Sequence, residues 1–268
     1  MRIIVPIKQV PETTNVRMDE QTGTMIREGV EAIVNPLDLY AIEAAIRLAE
    51  GAPAGECEVV AISMGPPKAL VALREAIAMG ADSAVLVTDK AFAGSDTWAT
   101  SCVLAAAIRK LGRFDLVICG ERATDGDTGQ VGPGIAAWLD IPAVTYVNRV
   151  ESLGEGRCRV SQLVEDGCQR LEMSLPGLLT VVKDVASPRL PTLRGKQRAR
   201  RADVPHWGAA DLDVAADNLG LAGSPTRVVK IFRPTVARNC RKLAPADERA
   251  VEQTAGELAG FLHGKGLL

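Results

Sequence analysis

The chain has 268 residues, 47% of them apolar, with 31 basic and 33 acidic side chains. That is enough for one large α/β domain plus an appendage, and a balance so even gives a nucleic-acid role no global electrostatic support. Six cysteines, at positions 57, 102, 119, 158, 168 and 240, never fall in a CxxC spacing, and the only histidines are His206 and His263; this argues against an iron–sulfur or local zinc site, a histidine-based hydrolase and a histidine-rich metal centre. A cofactor would have to carry any redox step.

The first residues, MRIIVPIKQV, are apolar only briefly before Lys8. That is too short for a signal peptide, and no apolar run approaches a membrane span, so a soluble cytoplasmic protein is expected. Arg2 to Ile7 reads as a strand, and Val16 to Met25, centred on the turn-prone DEQTG, as a hairpin or ordered loop. Asn35-Pro36-Leu37-Asp38 then opens a helix, with Asn35 as N-cap and Pro36 at the first position; Leu37, Ala41, Ala44, Ala45 and Leu48 share one face.

Glu58 to Ser63 is the next strand, followed by Gly65-Pro66-Pro67 and a helix from Lys68 to Met79 that stops at Gly80. Ala84 to Thr88 and Asp96 to Leu111 repeat the unit, with Asp96 or Ser95 as cap. Leu116 to Cys119 and Ala143 to Val147 are short apolar runs that fit covered strands, with a helix ending near Leu139 between them. The alternation predicts a Rossmann-like, doubly wound α/β fold: a mostly parallel sheet with helices on both faces and ligands at its carboxyl edge.

After Val147 the pattern changes. Arg157 to Val164 and Gln169 to Ser174, split by Glu165-Asp166-Gly167, read as a hairpin, and Leu178 to Val182 as one more strand. From Ser187 periodicity fades and prolines recur, so the last eighty or so residues read as an extended arm lying on another subunit. A helical pattern returns over 245–262, with Val251, Leu258, Phe261 and Leu262 as its apolar positions.

The segment from Asp115 to Val147, DLVICGERATDGDTGQVGPGIAAWLDIPAVTYV, says most about function. Gly120, Gly126, Gly129, Gly132 and Gly134 are expected to permit positive φ and close approach to a ligand, and Thr128 or Asp127 to cap the helix. A turn of this kind at a strand's carboxyl end is where open α/β sheets bind nucleotides. Asp125 and Asp127 beside the amides, with no following GKS or GKT, disfavour a triphosphate. Carboxylates suit ribose hydroxyls or an adenine amino group, while the amides from Thr128 to Val131 could hold one or two phosphates of AMP or FAD. The plainer alternative is a glycine-rich turn whose acids merely cap the helix.

GERATDGDTGQVGP closely resembles the signature of the beta subunit of electron transfer flavoproteins. IIVPIKQVPE, NPLDLYAIEAA, VVAISMGPP, AIAMGADSAVLV and SPRLPTLRGKQRARR agree with it in order, so the resemblance covers roughly residues 1 to 205. It implies a heterodimer with a larger alpha subunit, an electron-transferring FAD shared with or held by that subunit, and electron traffic between acyl-CoA-type dehydrogenases and other redox partners. It also implies that residues 1–186 form an adenine-nucleotide-binding domain and 187–268 a docking loop and an arm wrapping the alpha subunit.

For the pocket, the resemblance implies that Pro6, Asn35, Pro36, Leu37, Asp38 and Met64 join Ala123, Asp125, Gly126, Asp127, Thr128, Gly129, Gln130, Val131, Gly132, Pro133 and Gly134 around AMP or a second FAD. Asn35 and Asp38 could equally be caps, Pro6 a strand terminator and Met64 plain core. The loop reads like the flavin-bifurcating type, in which NADH is the donor, with Gly126 where AMP-binding relatives place a bulkier charged residue. Leu193 and Arg194, within a basic run from Arg189 to Arg201 that holds no acid, match the family's partner-docking position; a solvated surface loop is the plainer reading of that run. Two other uses of the fold compete. One is a stand-alone nucleotide sensor or structural module; the other is an ATP pyrophosphatase or adenylating enzyme, disfavoured because Pro6-Ile7-Lys8-Gln9 stands where a phosphate loop belongs.

Overall fold

A computed structural model gives the architecture and describes residues 1–12, 32–229 and 242–268. The apolar runs become β1 (Arg2–Pro6), the short antiparallel pair β2 (Gln9–Pro11) and β3 (Ala32–Val34), then α1 (Pro36–Glu50), β4 (Glu58–Met64), α2 (Leu70–Met79), β5 (Ser83–Val87), α3 (Thr97–Leu111), β6 (Leu116–Gly120) and α4 (Val131–Leu139). They continue with β7 (Ala143–Gly154), β8 (Arg157–Val164), β9 (Gly167–Ser174), β10 (Gly177–Val181), α5 (Leu193–Arg201), β11 (His206–Trp207) and α6 (Glu248–Gly264). The hairpin or loop expected over 16–25 lies outside the described residues.

Nine strands form one sheet in the order β11-β5-β4-β1-β6-β10-β7-β8-β9. The seven from β11 to β7 are parallel and the last two antiparallel. Alternation along each strand divides the core in two. Ile3, Val5, Val59, Ala61, Leu116 and Ile118 pack under α1 and α2, while Ile4, Ile62, Val117 and Leu178 pack under α3 and α4. Both faces are therefore apolar, as a helix-covered parallel sheet requires. The chain runs from β1 outward through β4 and β5, then returns to the other side of β1 as β6. This reversal opens a crevice between the carboxyl ends of β1 and β6.

Several local expectations change. Asp96 caps α3, accepting from the amides of Trp98 (3.0 Å) and Ala99 (3.1 Å). Neither Thr128 nor Asp127 caps α4: the helix starts at Val131 after Gln130 with no side-chain cap. Asp127 (φ 53°) and Gly129 (φ 63°) turn the chain left-handed first, which places those side chains before the helix's first turn. Strand β7 runs seven residues past Val147, because its polar outer half pairs with β8 as a hairpin exposed to solvent.

The basic run after Thr192 is helical rather than a loop. Thr192 caps it by accepting from the Gly195 amide at 2.9 Å, and only Ala199 in it is buried, so it carries no apolar stripe for periodicity to register. The chain also groups into two compact units. One compact unit spans Met1–Val229 and the other Lys230–Leu268, since β11 pairs with β5 at the sheet edge and thereby holds the residues after α5 in the first unit. In the second unit α6 buries no residue, and Val251, Leu258 and Phe261 are exposed. Among the described residues, no helix is long and apolar enough to cross a membrane.

Candidate functional site: a cleft at the strand switch point

A cleft of about 570 Å³ occupies the crevice at the carboxyl ends of β1, β4 and β6. Its size falls within the range typical of small-molecule sites. Pro6, Asp38, Met64, Ala123, Asp125, Gly126, Thr128, Gly129, Val131 and Gly132 line it. Its deeper wall is apolar, with Ile7, Phe92, Leu104 and Cys119.

Asn35 stands behind this wall, fully buried. It does not cap α1 with its side chain. Its amide instead donates to Asp38 Oδ1 and to the Arg122 carbonyl, both at 2.9 Å, while its Oδ1 accepts from the Thr124 amide at 3.1 Å. Asp38 Oδ2 accepts from the Lys8 amide at 2.7 Å. One Asn–Asp pair thus joins the end of β1, the start of α1 and the loop after β6. Pro36 is exposed and Leu37 half-buried; their backbone, more than their side chains, shapes the site. A Cβ on Gly120 would lie 2.5 Å from Asp38 Oδ1 and 2.8 Å from the Leu37 carbonyl carbon.

Burial dominates the Asp38 carboxyl and pushes it up to about 7, against the opposing pull of the Lys8 amide and the Asn35 amide. Burial also drives the Cys119 thiol upward, reinforced by the nearby Asp38 carboxylate. The thiol is therefore an inert, protonated part of the wall.

The loop's acids are held by two cations that lie within the quoted motifs but are not among the expected site residues. Lys8 Nζ meets Asp125 Oδ1 at 2.7 Å across the mouth, and Arg122 Nε meets Asp127 Oδ1 at 3.0 Å. Gln130 Oε1 accepts from the Thr97 hydroxyl at 3.0 Å, tying the starts of α3 and α4 together at the rim. Of the five glycines expected to take positive φ, only Gly129 does. Gly132 and Gly134 serve packing instead: a Cβ there would come within 2.6 Å of Thr180 Cγ2 and Ser101 Oγ respectively. Neither Pro133 nor Gly134 lines the cleft; Gly134 lets α4 pack on α3 at Ser101. A Cβ on Gly126 would face open space.

The first turns of α3 and α4 converge on the cleft through Thr97, Thr100, Val131 and Gly132, so the positive ends of two helix dipoles meet there. Among the described residues, no group of three or more His, Cys, Asp or Glu is placed to hold a metal. The chemistry on offer is recognition: apolar walls, carboxylate acceptors, two paired cations and helix-start amides.

An electron transfer flavoprotein domain matches residues 22–212. The chain belongs to the electron transfer flavoprotein family. It is 50% identical over 239 residues to the electron transfer flavoprotein subunit beta of Thermoanaerobacterium thermosaccharolyticum, covering 89% of this chain and 90% of that one. It is 43% identical over 265 residues to the caffeyl-CoA reductase-Etf complex subunit CarD of Acetobacterium woodii (99% and 97% covered), and 43% identical over 241 residues to protein FixA of Azotobacter vinelandii (87% and 84% covered). Within the electron transfer flavoproteins it is a chain of the beta-subunit type, acting in electron transfer. The two positions expected to dock a partner do not line the cleft. Leu193 is exposed at the start of α5, and Arg194 borders a shallow basic depression with Gln197, Arg198 and Arg201.

Proposed function

We propose that the cleft holds the adenosine end of a nucleotide, either AMP or the adenosine half of a second FAD, and that the chain works in a heterodimer with a larger alpha subunit. The observation that carries this reading is the position of the cleft. It sits at the strand switch point, with acids at its mouth to accept from hydroxyl or amino groups, apolar walls for a ring, and two helix starts for phosphate. Pro6, Met64 and Val131 would flank the base. Asp125 and Asp127 would accept from the sugar or base edge, and the amides from Thr128 to Val131 would receive phosphate. Asn35 and Asp38 would keep the three loops in place.

A bound flavin supplies the redox chemistry, and the side chains of this subunit supply position and shielding from water. The open space beside Gly126 favours the larger ligand, a second FAD, and with it the bifurcating variant in which NADH is the donor. Exposed Leu193 and Arg194 would meet a dehydrogenase of the acyl-CoA type or another redox protein, and α6 would lie on the alpha subunit. Releasing and counting the nucleotides of the purified heterodimer tests the reading. Two FAD per heterodimer supports the bifurcating variant, one FAD with one AMP supports the simple carrier, and no adenine nucleotide beyond the alpha subunit's FAD refutes the cleft assignment.

A further inference from the structure

Away from the cleft, the most deeply buried acid is Glu43, on the same helix as Asp38 and only 1% exposed. It is fully engaged. Arg189 donates to it through Nε (2.8 Å), Nη2 (3.2 Å) and its own backbone amide (3.1 Å), and Arg47 Nε adds a fourth contact at 2.7 Å. The outer side of the Arg189 guanidinium grips Glu50, with Nη2 to Oε2 at 2.9 Å, and Arg47 Nη2 reaches the Ser187 carbonyl at 3.3 Å. Burial pushes the Glu43 carboxyl up, but hydrogen bonds from Arg189 and Arg47 outweigh it and hold the carboxyl below its usual range. A buried carboxylate with this many charge-assisted partners fixes geometry far better than an exposed ion pair.

The far side of the same segment is pinned as firmly. A Cβ on Gly195 would lie 2.1 Å from the Ala78 carbonyl oxygen, so α5 rests directly on the end of α2. Arg198 Nη2 donates to the carbonyls of Ile77 (2.6 Å) and Ala81 (2.9 Å), and Arg74 donates to the Ala199 carbonyl. Between these two attachments stand Leu190, 87% exposed, and Leu193, 82% exposed. Two bare leucines on a rigid turn are at odds with a merely solvated loop. The segment 187–201 contains no acid, and Arg194, Lys196, Arg200 and Arg201 are all exposed along α5.

We propose that Glu43 and Arg189 are positioning residues that hold the turn over 187–192 so that Leu190 joins Leu193 as a preset two-point apolar anchor, fitted to a redox protein whose apolar recess is rimmed by carboxylates. The inference rests on the docking reading of Leu193 given above, and adds to it a second anchor and the clamp that presents both. Arg189 itself is neutralised by Glu43 and Glu50, so it serves the clamp and not the partner. Presetting the turn removes the ordering cost that a loose loop would incur on every encounter.

The test uses the assembled heterodimer, with an acyl-CoA dehydrogenase and its acyl-CoA substrate as the reducing partner and a small dye as the acceptor that needs no docking. Glu43→Gln and Arg189→Gln are expected to raise the KM for the dehydrogenase about fivefold or more, with kcat and dye reduction within about twofold. Amides of 189–193 are expected to exchange about tenfold faster in both variants. Leu190→Ala is expected to raise KM with exchange unchanged. Where Glu43→Gln fails to fold, Glu50→Gln, on the exposed half of the clamp, is expected to show the same pattern at about a third of the size. An elevated KM in Leu193→Ala alone, with the clamp variants and Leu190→Ala like wild type, overturns the positioning role. An unchanged KM in Leu193→Ala, or no flavin reduction in the wild type, overturns the docking reading itself.

Discussion

The Asn35 side-chain amide lies 2.9 Å from Asp38 Oδ1, and the two side chains, both buried at the start of α1, brace the wall of the cleft. Because Asn35 also serves the Arg122 carbonyl and the Thr124 amide, removing it leaves the buried Asp38 carboxyl and two partly buried backbone groups short of a partner. Asn35→Ala is expected to cost about 2–3 kcal/mol of stability and to lower nucleotide content. Urea unfolding and nucleotide release check both halves, and an unchanged midpoint would refute the bracing role.

The Asp38 carboxyl gives the stability a signed pH dependence. Its value in the folded chain, about 7, lies above its ordinary 3.8, so the folded state holds the proton more tightly than the unfolded one. The stabilisation is complete below 3.8 and lost as pH rises through about 7, at no more than ~1.4 kcal/mol per pH unit. Relative to Asp38→Asn, wild-type protein should therefore lose stability between about pH 4 and about pH 7. Chemical denaturation of the two proteins across that range measures the difference, and parallel curves would contradict it.

The glycines of the loop separate into packed positions and open ones. Gly132→Ala places a methyl against Thr180 and is expected to cost about 1–3 kcal/mol through overpacking. Gly126→Asp meets no neighbour and is expected to change stability by no more than about 0.5 kcal/mol. It should nevertheless shift occupancy from flavin toward AMP, which nucleotide counting on the heterodimer reads directly; retention of two FAD would remove Gly126 as the determinant of ligand size.

The Lys8–Asp125 pair spans the cleft mouth with Lys8 half exposed, so its own contribution to stability is expected at about 0–1 kcal/mol. Lys8→Met should leave the unfolding midpoint nearly unchanged, weaken nucleotide retention and reduce the salt sensitivity of that retention. Dialysis of the heterodimer at low and high salt tests this, and equal nucleotide loss from both proteins would rule out a role for Lys8 at the mouth.

The sheet was legible in the sequence wherever apolar runs and turns alternate, and Asp96 could be recognised as a cap because its oxygen stands directly before the helix it serves. The glycine- and aspartate-rich loop marked the cleft for the same local reason. Partners distant in sequence were not legible. Lys8 and Asp125 are 117 residues apart, and Glu43 and Arg189 146, and neither pairing leaves a trace in any short window. Helix α5 escaped because it is attached by one glycine, one alanine and the reach of Arg198 rather than by an apolar stripe. Thr192, together with Arg, Lys, Gln and Ala as strong helix formers, was the signal that could have revealed it.

Helix α1 carries the Asn35–Asp38 brace at its start, the Glu43–Arg189 grip at its middle and the Glu50–Arg189 contact at its end. Fifteen residues make a rod of about 22 Å, stiff on that scale. The brace beside the crevice and the clamp beneath the leucines are therefore built on one helix, so a substitution that shifts α1 as a body would disturb both together.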